Sequence, residues 1–175
     1  VRRLMRLASI KPIYPRRHLT QWKKNEYIYP YLLRNLAITE KNQVWEIDIT
    51  YIPMAKGFMY LTAIIDVYSR YIVGWGLSNS LDADSSLRVV KDASRDHGKP
   101  SILNSDQGSQ FTCREYVEYL KDQHIQISMD GKGRALDNIY IERFWRTIKY
   151  QHIYLNPAES GIDLFIGIKK WIEKY

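Results

Sequence analysis

The chain has 175 residues, of which 45% are hydrophobic and 13% aromatic, with a formal net charge of +7. That apolar share excludes general disorder, and the length suffices for one domain with a real core plus an appendage. No apolar run is long enough to span a bilayer, and no charged-then-apolar secretory leader opens the sequence. Cys113 is the single cysteine, which excludes an intrachain disulfide and a cysteine zinc cluster and leads us to expect a cytoplasmic setting. A first residue of Val rather than Met suggests a fragment or a processed chain.

The charge is unevenly placed. Residues 1 to 34 hold nine basic side chains, among them Arg2, Arg3, Arg6, Arg16 and Arg17, against Glu26 alone. The rest of the chain is close to neutral, with 17 basic and 18 acidic groups. A basic arm on a near-neutral domain neutralises phosphates and releases counterions, so nucleic acid is the expected partner. "VRRLMRLASI" reads as the end of a helix stopped by Pro12 and Pro15, and the tyrosine-rich segment up to Tyr31 reads as extended. The boundary falls near Thr39 to Gln43, giving an arm over 1–38 and a core over 39–175.

From there the expected order is three strands, then helix, strand, helix, strand and helix. "QVWEIDITYIP" alternates, with Trp45, Ile47, Ile49 and Tyr51 on one face and Glu46, Asp48 and Thr50 on the other. "FMYLTAIIDVYS" and "RYIVGWGLSN" are apolar runs joined by turns at Lys56-Gly57 and around Ser69, an antiparallel meander. "DADSSLRVVKDASRDHG" reads as a helix that starts near Asp82 or Asp84 and stops at Gly98. "PSILNSD" is a short strand, "CREYVEYLKDQ" an amphipathic helix and "IQIS" a fifth strand. "GKGRALDN" then forms a glycine-interrupted loop before the helix of "ALDNIYIERFWRTIKY", and a last helix begins near Ala158. This order fits an α/β fold with a mixed five-stranded sheet flanked by helices.

In the helix of residues 135 to 150, Leu136, Tyr140, Phe144 and Ile148, with Ile141 beside them, form the core-facing side. Asn138, Glu142, Trp145 and Lys149 form a neighbouring stripe, which sets Glu142 at the border of the buried face. Glu142 alone could be paired with Arg146 on a solvated helix. Asp48 alone could face solvent beside Glu46 and Thr50, and Asp106 could make an Asx turn with Gly108 supplying a permissive backbone angle. Together they form a set: one carboxylate within the first strand, one at the end of the fourth, one on a late helix. Where the first and fourth strands are neighbours, the three can converge. Clustered carboxylates repel, and a hard cation such as magnesium relieves that repulsion while leaving room for phosphate oxygens. Asp66, at a turn, and Asp137, at a helix start, stay outside this set. His18, His97, His124 and His152 have no ligand spacing.

"WEIDITYI", "NSDQGSQFT" and "DGKGRALDNIYIERFWRTIKY" stand in order, joined by "YLTAIIDVYSRYIVGW", with 35 residues between Asp106 and Glu142. With these motifs the chain resembles, over nearly its whole length, the catalytic core of insertion-sequence transposases of the family numbered three, themselves similar to retroviral integrases. The resemblance implies a ribonuclease-H-like fold and a metal site of Asp48, Asp106 and Glu142, holding two magnesium or manganese ions once DNA is bound. It implies cleavage and transfer of DNA strands, with water or a 3′-hydroxyl attacking a phosphodiester and no covalent enzyme intermediate. Lys149 matches a basic residue that contacts element-end DNA in similar enzymes. Asn138 and Gln110 would support the ligands, touch DNA, or serve structure alone. Lys132 and Arg134 can meet a phosphate near the metal site.

The implied partners are double-stranded DNA, both element ends and target, further copies of the chain on DNA, and the product of a partner reading frame. The implied location is the bacterial cytoplasm, at the nucleoid. Full-length members carry more of a helix-turn-helix region before this sequence and a "YN..RPH" segment after it. A nuclease of similar fold that hydrolyses RNA–DNA hybrids, and a catalytically silent DNA-binding remnant, are the alternative readings.

Overall fold

The computed structural model describes residues 27–131 and 138–175. Three strands form an antiparallel meander: β1 (Val44–Pro53), β2 (Phe58–Asp66) and β3 (Ile72–Ser78). Gly57 takes a φ of +80° in the first turn, where Met54 N–H donates to its carbonyl. In the second turn Asp66 is the hub. Its carboxylate accepts from the backbone N–H groups of Asn42 and Ser69 and from the Ser69 hydroxyl, each at 2.7 Å. Three donors satisfy a carboxylate that is almost wholly buried, so its role is structural.

The chain continues through α1 (Ala83–His97), β4 (Ile102–Ser105), α2 (Arg114–Asp122), β5 (Gln126–Met129), α3 (Ile139–Ile148) and α4 (Gly161–Ile172). Asp82 caps α1 by accepting from Ser85 N–H at 2.8 Å, and Gly98 ends it at φ +85°. The end of α3 widens into a π turn over Lys149–Ile153. The strand order is β3-β2-β1-β4-β5, with β4 parallel to both β1 and β5, so β1 lies at the centre of a mixed sheet.

Both faces of the sheet are covered. Trp45, Ile47, Ile64 and Leu103 pack with residues of α1 and α2, including Val90, Tyr116 and Leu120. Ile52, Leu61, Ala63 and Ile65 on the opposite face pack with Ile141, Phe144, Trp145 and Ile148 of α3 and with Leu164 and Ile168 of α4. This three-layer arrangement with a mixed five-stranded sheet is the expected ribonuclease-H-like α/β fold. Before β1, Leu33, Leu36 and Ile38 pack against Val44, Val67 and Ile102, and Leu32 N–H donates to Ser128 Oγ at 3.0 Å. Among the described residues no helix is long and apolar enough to cross a membrane.

Candidate active site

The site begins with the alternation of β1. Trp45, Ile47 and Ile49 enter the core under α1 and α2, which turns Glu46, Asp48 and Thr50 toward α3 rather than toward water. The solvent-facing alternative for Asp48 is therefore wrong, because a helix covers that face. Each of the three accepts a hydrogen bond from α3 or its extension. Glu46 Oε2 accepts from Ile141 N–H at 3.1 Å, Asp48 Oδ2 from Trp145 Nε1–H at 2.8 Å, and Thr50 Oγ1 from Lys149 Nζ at 2.6 Å. Two residues of strand advance about 6.7 Å and four residues of helix about 6 Å, so the two spacings stay nearly in step over three rungs.

Asp106 follows β4 directly. Glu46 pairs with Asn104 as the last rung of the parallel β1–β4 ladder, two residues before Asp48 on one strand and two before Asp106 on the other. The Asp106 Oδ1 atom accepts from Gly108 N–H at 2.9 Å, which is the anticipated Asx turn. Gly108 does not take a positive φ there, contrary to expectation. A Cβ at that position would instead meet the Gln110 side-chain amide at 2.3 Å, so the glycine makes room for Gln110, which is itself buried.

Glu142 lies in the first turn of α3, exposed, and no ion pair joins it to Arg146 among the described residues. Asp48 registers both other carboxylates. Burial is the largest influence and pushes its pKa up to about 6; the indole hydrogen bond opposes this, and the charges of Asp106 and Glu142 add to it. Burial raises Glu46 further, to about 7. Lys149 is half-buried and its pKa is lowered by burial, with Asp48 acting against that shift.

Carboxylates of which two, Asp106 and Glu142, raise the pKa of the third by their charge suit a hard divalent cation. Asp106 has a second oxygen beyond its turn bond, and the Glu142 carboxylate has no hydrogen-bond or ion-pair partner among the described residues. Even so, among the described residues no three Asp, Glu, His or Cys side chains are already grouped as a ligand set. The donor chemistry fits the metal, while the three carboxylates do not form a closed ligand set among the described residues.

The remaining anticipated contacts divide. Asn138 is buried at the start of α3, and its Oδ1 has no hydrogen-bond partner among the described residues. Lys149 is turned onto Thr50. Lys132, Arg134, Leu136 and Asp137, with Arg2, Arg3, Arg6, Arg16 and Arg17, lie outside the described residues. Sequence reasoning missed the part played by Glu46, and it set Trp145 on the border stripe although the indole is buried against Asp48. The signal was present as a match between positions 46, 48 and 50 and positions 141, 145 and 149.

The integrase core domain family matches residues 38–135, and a second integrase core domain family matches residues 123–175. The transposase for insertion sequence element IS904 of Lactococcus lactis is 38% identical over 140 residues, covering 78% of this chain and 55% of that protein. A transposase-like protein of Haemophilus influenzae is 33% identical over 145 residues, covering 82% of this chain and 67% of the relative. The InsF transposase of IS3A from Escherichia coli is 32% identical over 115 residues, covering 65% and 40%. Apart from the Haemophilus protein, the chain spans about half the length of these curated relatives.

Among solved structures, the HTLV-2 integrase catalytic core domain in complex with magnesium superposes with a TM-score of 0.54 at 24% identity, covering 62% of this chain and 68% of that one. A chain of the simian T-cell lymphotropic virus intasome in complex with PP2A regulatory subunit B56 gamma reaches 0.62 at 18% identity, covering 72% of this chain and 46% of that one. Those two likenesses establish the fold. With the sequence matches over both halves of the core, the chain belongs to the integrase core domain family, among the IS3-family insertion-sequence transposases.

Proposed function

We propose that the chain is the catalytic core of a transposase that cleaves DNA strands and transfers them, using a divalent-metal site made by Asp48, Asp106 and Glu142. The observation that supports this reading is the parallel β1–β4 pairing, which ends at Glu46 and Asn104, two residues before Asp48 and Asp106, with Asp48 bonded to Trp145 of the helix that bears Glu142. The electrostatic influence of both partners on Asp48 supports it. Magnesium or manganese, two ions once DNA is present, would supply activation of the attacking oxygen and stabilisation of the leaving one.

The protein's part is positional. β1 holds Asp48, the segment directly after β4 holds Asp106, and α3 carries Glu142. Trp145 Nε1–H orients the Asp48 carboxylate by holding Oδ2. The scissile phosphodiester is attacked in line by water or a 3′-hydroxyl, which loses its proton as the new P–O bond forms. The opposite P–O bond breaks, and its oxygen leaves as the 3′-hydroxyl of the departing strand. No side chain becomes bonded to DNA.

Lys149 leaves Thr50 to meet a phosphate, and Asn138 and Gln110 flank the ligands or the DNA. Lys132 and Arg134 meet the backbone near the site, and the basic side chains of the 1–38 arm, Arg2, Arg3, Arg6, Arg16 and Arg17 among them, hold duplex further out. The partners are element-end and target DNA, further copies of the chain on that DNA and a partner-frame product, at the nucleoid of a bacterial cytoplasm.

Replacing Asp106 with Asn tests the reading. Nicking and strand joining on supercoiled plasmid should fall by at least about a thousandfold, as for loss of a principal metal ligand. Duplex affinity should hold or rise, because one negative charge is gone. An Asp106→Asn protein with full activity sinks the assignment.

A further inference from the structure

We propose that Glu46 is a positioning residue: it fixes the start of α3 to β1 and so sets where Glu142 stands relative to Asp48. The inference rests on the reading of Asp48, Asp106 and Glu142 as metal ligands and adds a residue that does not itself touch the ion. Glu46 is 2% exposed, and its Oε2 accepts from Ile141 N–H at 3.1 Å. Ile141 immediately precedes Glu142, and Glu46 lies two residues before Asp48 on the same strand face. The link joins positions 95 apart in sequence but ties the two ends of the site directly.

A helix start ordinarily satisfies its free N–H groups from its own segment, through a Ser, Thr, Asp or Asn cap. Here Asn138 occupies the cap position, yet its side chain makes no capping bond and its Oδ1 has no hydrogen-bond partner among the described residues. The cap comes from the sheet instead. When ionised, a carboxylate near the positive end of a helix is electrostatically favoured there.

A second contact holds the same turn. The Arg70 guanidinium lies 3.3 Å over the Tyr140 ring, and Arg70 projects from the β2–β3 turn. Two separate parts of the sheet therefore grip residues 140 and 141, immediately before the exposed Glu142. Burying a carboxylate is a costly way to cap a helix if capping is all that is required. Its position between a ligand-bearing strand and a ligand-bearing helix accounts for that choice.

The test uses the full chain with Glu46→Met, which fills the volume without an acceptor, Glu46→Gln, which keeps one, and Asp106→Asn as a control. Two readouts are taken: amide exchange at Ile141 in metal-free protein, and nicking of supercoiled plasmid across a Mn2+ titration. For Glu46→Met, Ile141 should lose protection and the Mn2+ concentration for half-maximal nicking should rise about 10- to 100-fold, the range seen when supports of metal ligands are removed. Plasmid affinity should be unchanged, and Glu46→Gln should return both readouts to near wild type. If Glu46→Met does not melt cooperatively, Glu46→Ala replaces it under the same criteria.

A folded Met or Ala variant with wild-type protection and wild-type Mn2+ requirement overturns the inference. So does a Glu46→Gln variant as impaired as the Met variant, since an acceptor would then not be what matters. If those results accompany an inactive Asp106→Asn, the metal reading stands and the role of Glu46 alone fails. If Asp106→Asn is active, the metal reading fails, and the exchange at Ile141 still decides whether Glu46 holds the helix.

Discussion

At the level of single residues, the β1 face toward α3 concentrates charge where water is scarce. Burial raises the pKa values of both Glu46 and Asp48, to about 7 and about 6. For Glu46 the shift makes a stability statement. Its pKa in the folded chain lies above the ordinary value of 4.5, so the fold binds its proton more tightly than the unfolded chain does. Stability is then greatest below the ordinary value and declines as pH rises through the folded value. In metal-free protein, urea unfolding should show wild type losing about 3 kcal/mol more than Glu46→Gln between the acid and alkaline ends of that window. Parallel pH profiles for the two proteins would contradict the assigned environment of Glu46.

At the level of elements, close approach of helix to sheet depends on small residues. A Cβ on Gly74 of β3 would come within 2.8 Å of Ala93 Cβ and 3.3 Å of the Val89 carbonyl of α1, neither of which can turn away. Gly74→Ala should therefore destabilise the fold by about 1–3 kcal/mol, the usual cost of overpacking, read from the urea midpoint. An unchanged midpoint would mean that α1 shifts freely on the sheet. The elements were largely legible: alternation in "QVWEIDITYIP" announced β1, and Asp82 and Gly98 bracketed α1. What pattern alone did not yield was the partner of each face. The polar face of β1 reads as solvent-facing until α3 is known to lie over it, because Glu46, Asp48 and Thr50 are satisfied by residues 95 or more positions away. Trp145 likewise reads as a border residue until Asp48 is seen to accept from its indole.

At the level of the whole molecule, charge and chemistry are segregated. Residues 1 to 26 carry eight of the 26 basic side chains, whereas the residues from Tyr27 onward include those that pack on the core. Removing 1–26 should leave the sheet and its carboxylates intact while weakening duplex binding. The slope of log affinity against log salt should flatten by about 0.9 for each phosphate that the arm no longer neutralises. A truncated chain with the wild-type slope would place the DNA-binding charge elsewhere, on the core itself.

The divalent-metal site proposed at Asp48, Asp106 and Glu142 requires strand order, register and helix placement to converge. Anomalous scattering from manganese in crystals of the chain bound to duplex DNA tests it most directly. Manganese peaks are expected between the Asp48 and Asp106 carboxylates, with Glu142 drawn in as a ligand and Asp48 still held by Trp145. Peaks absent from that position, or an ion bound without Asp48 and Asp106, would contradict it.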